Sequence, residues 1–350
     1  MQGKTAVLRH EAFLAHDPGP GHVESPQRLA GLYRQLARPE QQRRFLFPDF
    51  APAGEDTLAL NHSREHIARV AATAGSPFEC LDPDTYTSAR SYEAACLAAG
   101  AVVAAVDLVM TGEAANAFAL VRPPGHHAER DHTSGFCLFN NIAIAARHAL
   151  KQHGLSRIMI VDWDLHHGNG TQHAFYDSDQ VLFFSTHQYP YFPGSGALNE
   201  TGRGQGEGYT INVPLQGGQD DAAFARIFNE LVAPLAEQYQ PELIMVSAGF
   251  DTYIGDPLGT MRVTEAGYAY MTRVLRELAA KLCHGRLVLV LEGGYDLGIM
   301  EQGVLACLGE MAGDQLLPDA AVAVLRRAAG PLRALEMARE TAKKYWTIPG

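Results

Sequence analysis

The chain has 350 residues, of which 47% are hydrophobic and 19% charged, and its formal net charge is −11. This length allows a buried core without disulfide bonds, and the negative charge disfavours sequence-independent binding to nucleic acid phosphates. Five cysteines without a CxxC pair indicate a reduced compartment, and the lack of a secretory signal or a membrane-length apolar run leads us to expect a cytoplasmic protein.

Short apolar runs alternate along the chain with longer segments of helical pattern. The runs are apolar almost throughout, as expected for strands that are covered on both faces. The predicted strands are 117–123, 157–164, 180–187, 209–215, 242–250 and 286–294. The predicted helices are a buried one at 94–110 and others at 140–153, 220–238 and 264–283. This alternation predicts an α/β protein with a mainly parallel sheet and helices on both faces.

Polar motifs follow five of the six predicted strands. Their sequences are RPPGHHAE, DLHHGNG, STHQYPYFPGSG, SAGFDTYIGDP and EGGYD. Ligands of open parallel sheets bind beyond the carboxyl ends of the strands, so these motifs should converge on one rim. No linker between domains is evident, because the glycine-rich segment 200–208 has the composition of a surface loop.

Three residues are candidate metal ligands. Asp164 and His166 are two positions apart, so both side chains point the same way on an extended segment. Asp256, in IGDPLG, follows the fifth predicted strand and is a candidate for the third ligand of an open catalytic zinc site. Taken singly, an Asp-x-His pair also caps helices and a Gly-Asp-Pro sequence also forms turns, so the prediction depends on their combination.

Two adjacent histidines, His126 and His127, follow a rigid Arg-Pro-Pro-Gly turn. A neutral imidazole can accept and return a proton, and each ring needs a partner that orients it. Asp162 and Asn169 are the candidate partners. Tyr295 could donate a hydrogen bond to a developing oxyanion, although a tyrosine at this position in isolation is more often a surface turn residue.

Four motifs together resemble the zinc-dependent histone deacetylase family in its class II form. They are RPPGHHAE with GFCLFNN, DWDLHHGNGTQ, SAGFDTYIGDPLG and LEGGYD. The group includes bacterial deacetylase-like amidohydrolases and acetylpolyamine amidohydrolases. The resemblance runs from GHVESPQRL at 21–29 to about residue 310. It implies the single-domain arginase/deacetylase fold over residues 1–350, with an eight-stranded, mainly parallel sheet, and we expect a C-terminal helical segment at about 316–345.

The resemblance also implies a role for each matching residue. Asp164, His166 and Asp256 would hold one Zn²⁺ per chain. His127, oriented by Asn169, would shuttle the proton, and His126, oriented by Asp162, would assist electrostatically. Asn169 stands where class I members carry aspartate. Tyr295 would hold the substrate carbonyl and the tetrahedral oxyanion, and because some members with histidine at this position deacetylate poorly, Tyr295 implies real turnover.

Further residues match binding positions of the family. Gly135, Phe136 and Phe192 would line a narrow tunnel for an aliphatic arm, and Asp84 matches a rim position that binds the substrate backbone. The residues that match structural K⁺ or Na⁺ sites are Asp162, Asp164, His166, Ser185 and Thr186 for one site, and Phe175, Ser178 and Val181 for another.

The expected reaction is hydrolysis of an acetyl amide on a primary amine, most simply N6-acetyl-lysine, with release of acetate. Acetylpolyamines or another small acyl amide remain an alternative with the same mechanism. Met261 and Val263 are expected near the gate of the tunnel, and because neither is acidic they favour acetyl-lysine mildly. A manganese ureohydrolase and an inactive acetyl-lysine reader are further alternatives, and the oligomeric state is not predicted.

Overall fold

The computed structural model describes residues 3–349. The strands in this range are β1 (Thr5–Leu8), β2 (Glu79–Asp82), β3 (Thr85–Thr87), β4 (Asn116–Ala119), β5 (Ile158–Asp162), β6 (Val181–Gln188), β7 (Thr210–Leu215), β8 (Leu243–Ala248) and β9 (Leu287–Leu291). Seven of them form one parallel sheet in the order β1-β4-β9-β8-β5-β6-β7, and β2 and β3 form a separate antiparallel hairpin.

Helices surround the large sheet. They are α1 (Gln27–Leu36), α2 (Pro39–Arg44), α3 (Glu55–Leu58), α4 (Arg64–Ala71), α5 (Ser91–Thr111), α6 (Asn141–Gln152), α7 (Asn169–Phe175), α8 (Asp221–Ile227), α9 (Ala233–Tyr239), α10 (Glu265–Leu282), α11 (Leu297–Met311), α12 (Asp319–Arg326) and α13 (Arg333–Ala342). The central strands β5, β8 and β9 are buried along their whole length, because parallel strands linked by helices are covered on both faces. The predicted α/β architecture is confirmed.

All six predicted strands are present, and most are shorter than predicted, although β4 begins one residue earlier and β6 ends one residue later. The helices predicted at 140–153 and 264–283 are α6 and α10. The helix predicted at 220–238 is divided into α8 and α9 by a π turn at Phe228–Val232, where the amide of Ala233 donates to the carbonyl of Phe228, five residues back. Pro234 follows this turn and has no N–H with which to continue the ordinary helical ladder.

The expected sheet has eight strands, whereas the large sheet found within residues 3–349 has seven. The eighth position, beside β1, holds an isolated bridge between Ala6 and Leu46. Leu46 donates to the carbonyl of Thr5 at 2.9 Å and accepts from the amide of Val7 at 2.8 Å. The next parallel pairing needs an amide donor two residues later, where Pro48 has none. The ladder therefore ends after a single bridge.

Helix α5 is long and apolar enough to cross a membrane by length and composition. However, 67% of its most apolar window is buried inside the protein, and it packs beside α6 and β4. It is the core helix that was predicted at 94–110. At the other end of the chain, α12 packs against α8 and α13 against β7, which accounts for the helical segment predicted at about 316–345.

A buried ion network connects the two ends of the motif-bearing region. Glu24, in the GHVESPQRL segment, accepts from Arg122 at 2.5 and 2.7 Å and from Arg28 at 2.9 Å. Arg28 also donates to the main-chain carbonyls of Glu292 at 2.5 Å and Gly294 at 2.6 Å. This network ties the Arg-Pro-Pro-Gly turn to the loop that carries Tyr295, so the two loops are held in fixed positions beyond the carboxyl ends of β4 and β9.

Candidate active site

A cavity of about 330 Å³ opens beyond the carboxyl ends of the central strands. Its lining includes the four residues expected at the tunnel and its rim, namely Asp84, Gly135, Phe136 and Phe192. The remaining lining residues are His127, His166, Tyr191, Leu258 and Tyr295. Apart from Asp84, which lies in the turn between β2 and β3, the lining residues come from the segments after β4, β5, β6, β8 and β9. The five predicted strand-end motifs therefore converge on one site.

Phe136 and Phe192 form separate parts of the cavity wall. The Phe192 ring lies edge-on to His127 with centroids 5.1 Å apart, and the Phe136 ring lies edge-on to Tyr295 at 5.9 Å. Gly135 lies directly against His127, because a Cβ at this residue would fall 2.3 Å from its ring, and its φ of +55° is a conformation that suits glycine. Asp84 accepts from the Gly135 amide at 3.1 Å and so fixes this wall.

His126 is bound through Nδ1 to Oδ2 of Asp162 at 2.9 Å. Gly168 makes room for this carboxylate, since a Cβ there would lie 2.2 Å from the same oxygen. Burial opposes the charged form of the imidazole, but the neighbouring Asp162 and Asp164 carboxylates outweigh it and raise the pKa of His126 to about 10. The protonated form of His126 is therefore favoured near neutral pH.

His127 has the opposite character. Burial, together with the charges of His126 and His166, holds its pKa well below the ordinary value. Its Nδ1 lies 2.7 Å from Oδ1 of Asn169, whose amide nitrogen donates to Oε1 of Glu129 at 2.7 Å. Because Glu129 accepts from the amide nitrogen, the amide oxygen faces His127. The proton of His127 is thus placed on Nδ1, and Nε2 is left as an acceptor.

Glu129 was not predicted from the sequence, although it lies in the RPPGHHAE motif. It joins Asn169 to His173, whose Nδ1 lies 2.8 Å from the same carboxylate oxygen. A signal was available in the sequence: an asparagine orients a histidine in one way only if something else fixes its amide, so an acidic residue close to the pair was to be expected.

Asp164, His166 and Asp251 form a buried group whose potential ligand atoms all lie within 4.8 Å of one another. His166 Nδ1 is 3.3 Å from Asp164 Oδ1 and 3.1 Å from Asp251 Oδ2. Burial, followed by the Asp164 charge, raises the pKa of Asp251 to about 7. Buried carboxylates and an imidazole this close together are costly unless a cation joins them, so the donor set fits a divalent metal ion.

Asp256, the expected third ligand, lies outside this close group but borders the cavity. Its Oδ1 accepts from the amide of Leu258 at 2.9 Å, and its Oδ2 accepts from the amide of Tyr295 at 2.7 Å. Both donors belong to residues that line the cavity. Asp251 was missed as a site residue even though it is part of SAGFDTY, because the sequence does not show that its carboxylate turns back toward β5.

Tyr295 lies at the inner part of the cavity. The Arg28 guanidinium is 5.1 Å from the centre of its ring. Burial, and then the Asp251 charge, raises the pKa of Tyr295 well above the ordinary value. The phenol therefore keeps its proton and can donate a hydrogen bond into the cavity.

The residues that match the monovalent-cation sites lie in two places. Asp162 is paired with Ser185 across β5 and β6, and Thr186 Oγ1 is 3.5 Å from the carbonyl of Asp162. These residues adjoin Asp164 and His166. The second set surrounds the turn between α7 and β6, where the Ser178 amide donates to the Phe175 carbonyl at 3.0 Å and Val181 begins the strand.

The expected position of Met261 and Val263 at the gate is wrong. Both are buried, at 2% and 0% exposure, and neither lines the cavity. The Val263 carbonyl accepts from the Ile254 amide at 2.9 Å, which draws this segment into the core. Leu258 occupies the cavity wall instead.

Comparison with known proteins supports the family resemblance that the motifs indicate. A model of the histone deacetylase domain matches residues 22–311. The crystal structure of the HDA15 HD domain superposes with a TM-score of 0.90 at 36% identity, covering 99% of this chain and 96% of that one.

Two curated relatives are similar over most of this chain. A "Probable deacetylase" of Archaeoglobus fulgidus is 41% identical over 316 residues, which are 89% of this chain and 87% of that protein. "Polyamine deacetylase HDAC10" of Mus musculus is 40% identical over 98% of this chain, which spans only 53% of the mouse protein. With the domain match and the shared fold, these similarities show that the chain belongs to the histone deacetylase family and is a class II-like member of it.

Proposed function

We propose that this protein hydrolyses acetyl amides of primary amines and that N6-acetyl-lysine in a polypeptide is its preferred substrate. Deacetylase activity is the common property of the family to which the chain belongs. The observation that carries the proposal is the aromatic cavity that ends at His127, His166 and Tyr295. A cavity of this kind suits an acyl group on a narrow aliphatic arm, since apolar walls exclude water and a few polar groups act at the inner end.

We propose Zn²⁺ as the cofactor, held by Asp164, His166 and Asp256, with K⁺ or Na⁺ in the structural sites. The close spacing of the Asp164 and His166 donors supports the first two ligands. Asp256, which accepts from the amides of Leu258 and Tyr295 beside the cavity, would supply the third. When bound, the zinc ion would polarise the acetyl carbonyl and lower the pKa of a water molecule from about 15.7 towards 7. Asp251 Oδ2 lies 3.1 Å from the same Nδ1 atom of His166 that faces Asp164, so its carboxylate would add negative charge beside the bound ion.

Protein residues transfer the proton, stabilise the developing charge and position the substrate. Nε2 of His127 accepts a proton from the attacking water and returns it to the leaving amine. His126, kept protonated by Asp162, supplies positive charge next to the developing oxyanion. The hydroxyl of Tyr295 donates a hydrogen bond to the same oxygen. Phe136 and Phe192 hold the aliphatic arm in line with these groups.

Replacing the phenol hydroxyl tests the role of Tyr295. Tyr295→Phe should lower turnover of an acetyl-lysine peptide roughly a hundredfold or more, as removal of one oxyanion donor does elsewhere. The measurement is steady-state release of acetate, with Phe136→Leu as a control that changes the cavity wall without removing a donor. An unchanged turnover number for Tyr295→Phe would remove this residue from the mechanism.

Glu129 is expected to act as a positioning residue. Glu129→Gln allows the Asn169 side-chain amide to flip and exchange the positions of its oxygen and nitrogen, because a glutamine side chain can donate as well as accept. We expect kcat to fall by about 10- to 100-fold, as for other partners of site residues, with KM nearly unchanged. His173→Ala removes the other partner of Glu129 and serves as the matched control. Equal kcat values for Glu129→Gln and wild type would contradict this role.

The two aspartates after β8 should differ in their effect on metal content. Asp256→Asn is expected to lose the bound zinc, whereas Asp251→Asn should retain it with about 10- to 100-fold weaker affinity. Zinc per chain, measured on dialysed protein at a fixed free zinc concentration, distinguishes them. The reverse result would make the close group of Asp164, His166 and Asp251 the ligand set.

Acetylpolyamines are the second candidate substrates, because similar proteins are named both as histone and as polyamine deacetylases. Asp84 is the single carboxylate among the described residues that line the cavity, so a chain of ammonium groups would find few partners. We expect higher kcat/KM for an acetyl-lysine peptide than for acetylputrescine. A higher value for acetylputrescine would favour the polyamine alternative while leaving the chemistry intact.

A further inference from the structure

A second group of potential metal ligands lies where α5 and α6 pack against each other. It consists of Asp107 on α5, His148 on α6 and His153 directly after α6, with one ligand atom of each within 4.8 Å of the others. Nε2 of each histidine lies 2.7 Å from Oδ1 of Asp107. Two imidazoles thus converge on a single carboxylate oxygen.

The position of this group separates it from the active site. Asp107 lies near the end of α5, shortly before β4 begins, and His153 lies shortly before β5 begins. Both strands start at the edge of the sheet opposite to the cavity, which lies beyond their carboxyl ends. The group is therefore not part of the catalytic constellation.

The three side chains are both reachable and held in place. Their exposed fractions are 45% for Asp107, 16% for His148 and 22% for His153, so an ion from solvent can enter. Asp107 Oδ2 has no hydrogen-bond partner among residues 3–349 and remains available as an additional donor. Asp107 and His148 are anchored on two helices that pack directly against each other, which limits the ordering that binding would require.

We propose that Asp107, His148 and His153 bind a divalent transition-metal ion of the zinc type. Imidazole nitrogen with a single carboxylate suits Zn²⁺, Ni²⁺ or Cu²⁺, whereas Mg²⁺ and Ca²⁺ prefer oxygen ligands. Ligand atoms around a tetrahedral zinc are about 3.3 Å apart at the usual bond lengths. The nitrogens need to move away from the oxygen by only about half an ångström to reach that spacing, and water completes the coordination.

A bound ion would bridge the ends of α5 and α6. Ion pairs at a partly exposed surface contribute little to stability on their own, whereas a ligand that binds only the folded state stabilises it by an amount that rises with the logarithm of its concentration. The protein should therefore melt at a higher temperature in micromolar Zn²⁺ than without metal, and part of this increase should depend on the two histidines.

The test uses the full chain, stripped of metal with a chelator and then titrated with Zn²⁺ against a chromophoric competitor. The double variant His148→Ala/His153→Ala should bind one equivalent of Zn²⁺ per chain fewer than wild type. Asp107→Asn should weaken the affinity for that additional zinc ion about tenfold. His132→Ala, which removes a surface histidine paired with Asp131, is the matched control and should bind as wild type does.

The outcome does not depend on deacetylation. Loss of one equivalent in the double variant, with wild-type circular dichroism, supports the site whether or not the protein turns over acetyl-lysine. Equal stoichiometry and affinity in wild type and double variant would overturn it. If the double variant does not fold, Asp107→Asn alone decides, since wild-type zinc affinity in that variant also overturns the proposal.

Discussion

Repulsion among buried carboxylates is the constraint on which the rest of the active site depends. Asp162, Asp164, Asp251 and Glu292 are all fully buried, and they lie at or just beyond the carboxyl ends of the adjacent strands β5, β8 and β9. Such a concentration of negative charge is stable only if it is neutralised locally. His126 supplies one positive charge, and the remaining negative charge gives the site its preference for a cation.

The same constraint gives two adjacent histidines opposite pKa shifts. The Asp162 and Asp164 carboxylates raise the pKa of His126 and favour its cationic form. Burial, and then the charge of His126, lowers the pKa of His127 and favours its neutral form. Asn169, being uncharged, orients His127 without restoring the positive charge. An aspartate in the same place would favour protonation of the ring. Opposite protonation states in adjacent rings are what acid-base chemistry near neutral pH requires.

Much of this arrangement could be predicted from the sequence, because strand ends in a parallel sheet meet at one edge. The apolar runs predicted six of the seven sheet strands, and the motifs after them predicted the convergence. Strand β1 was missed because its apolar run, residues 6–8, has only three residues. Glu129 and Asp251 were missed because their roles depend on three-dimensional partners. Val263 was misplaced because pairing with the Tyr253 segment buries it, which its apolar character alone does not indicate.

Both outer edges of the large sheet are closed. At β1 the ladder continues for one residue, Leu46, and then meets Pro48, while β7 is covered by α13. An open edge of paired, apolar strands is a template onto which a second molecule can add its own strand. Within residues 3–349, a proline at one side and a helix at the other make such strand addition less favourable. The C-terminal helix α13 therefore has a protective value independent of catalysis, because it packs against the last strand of the sheet.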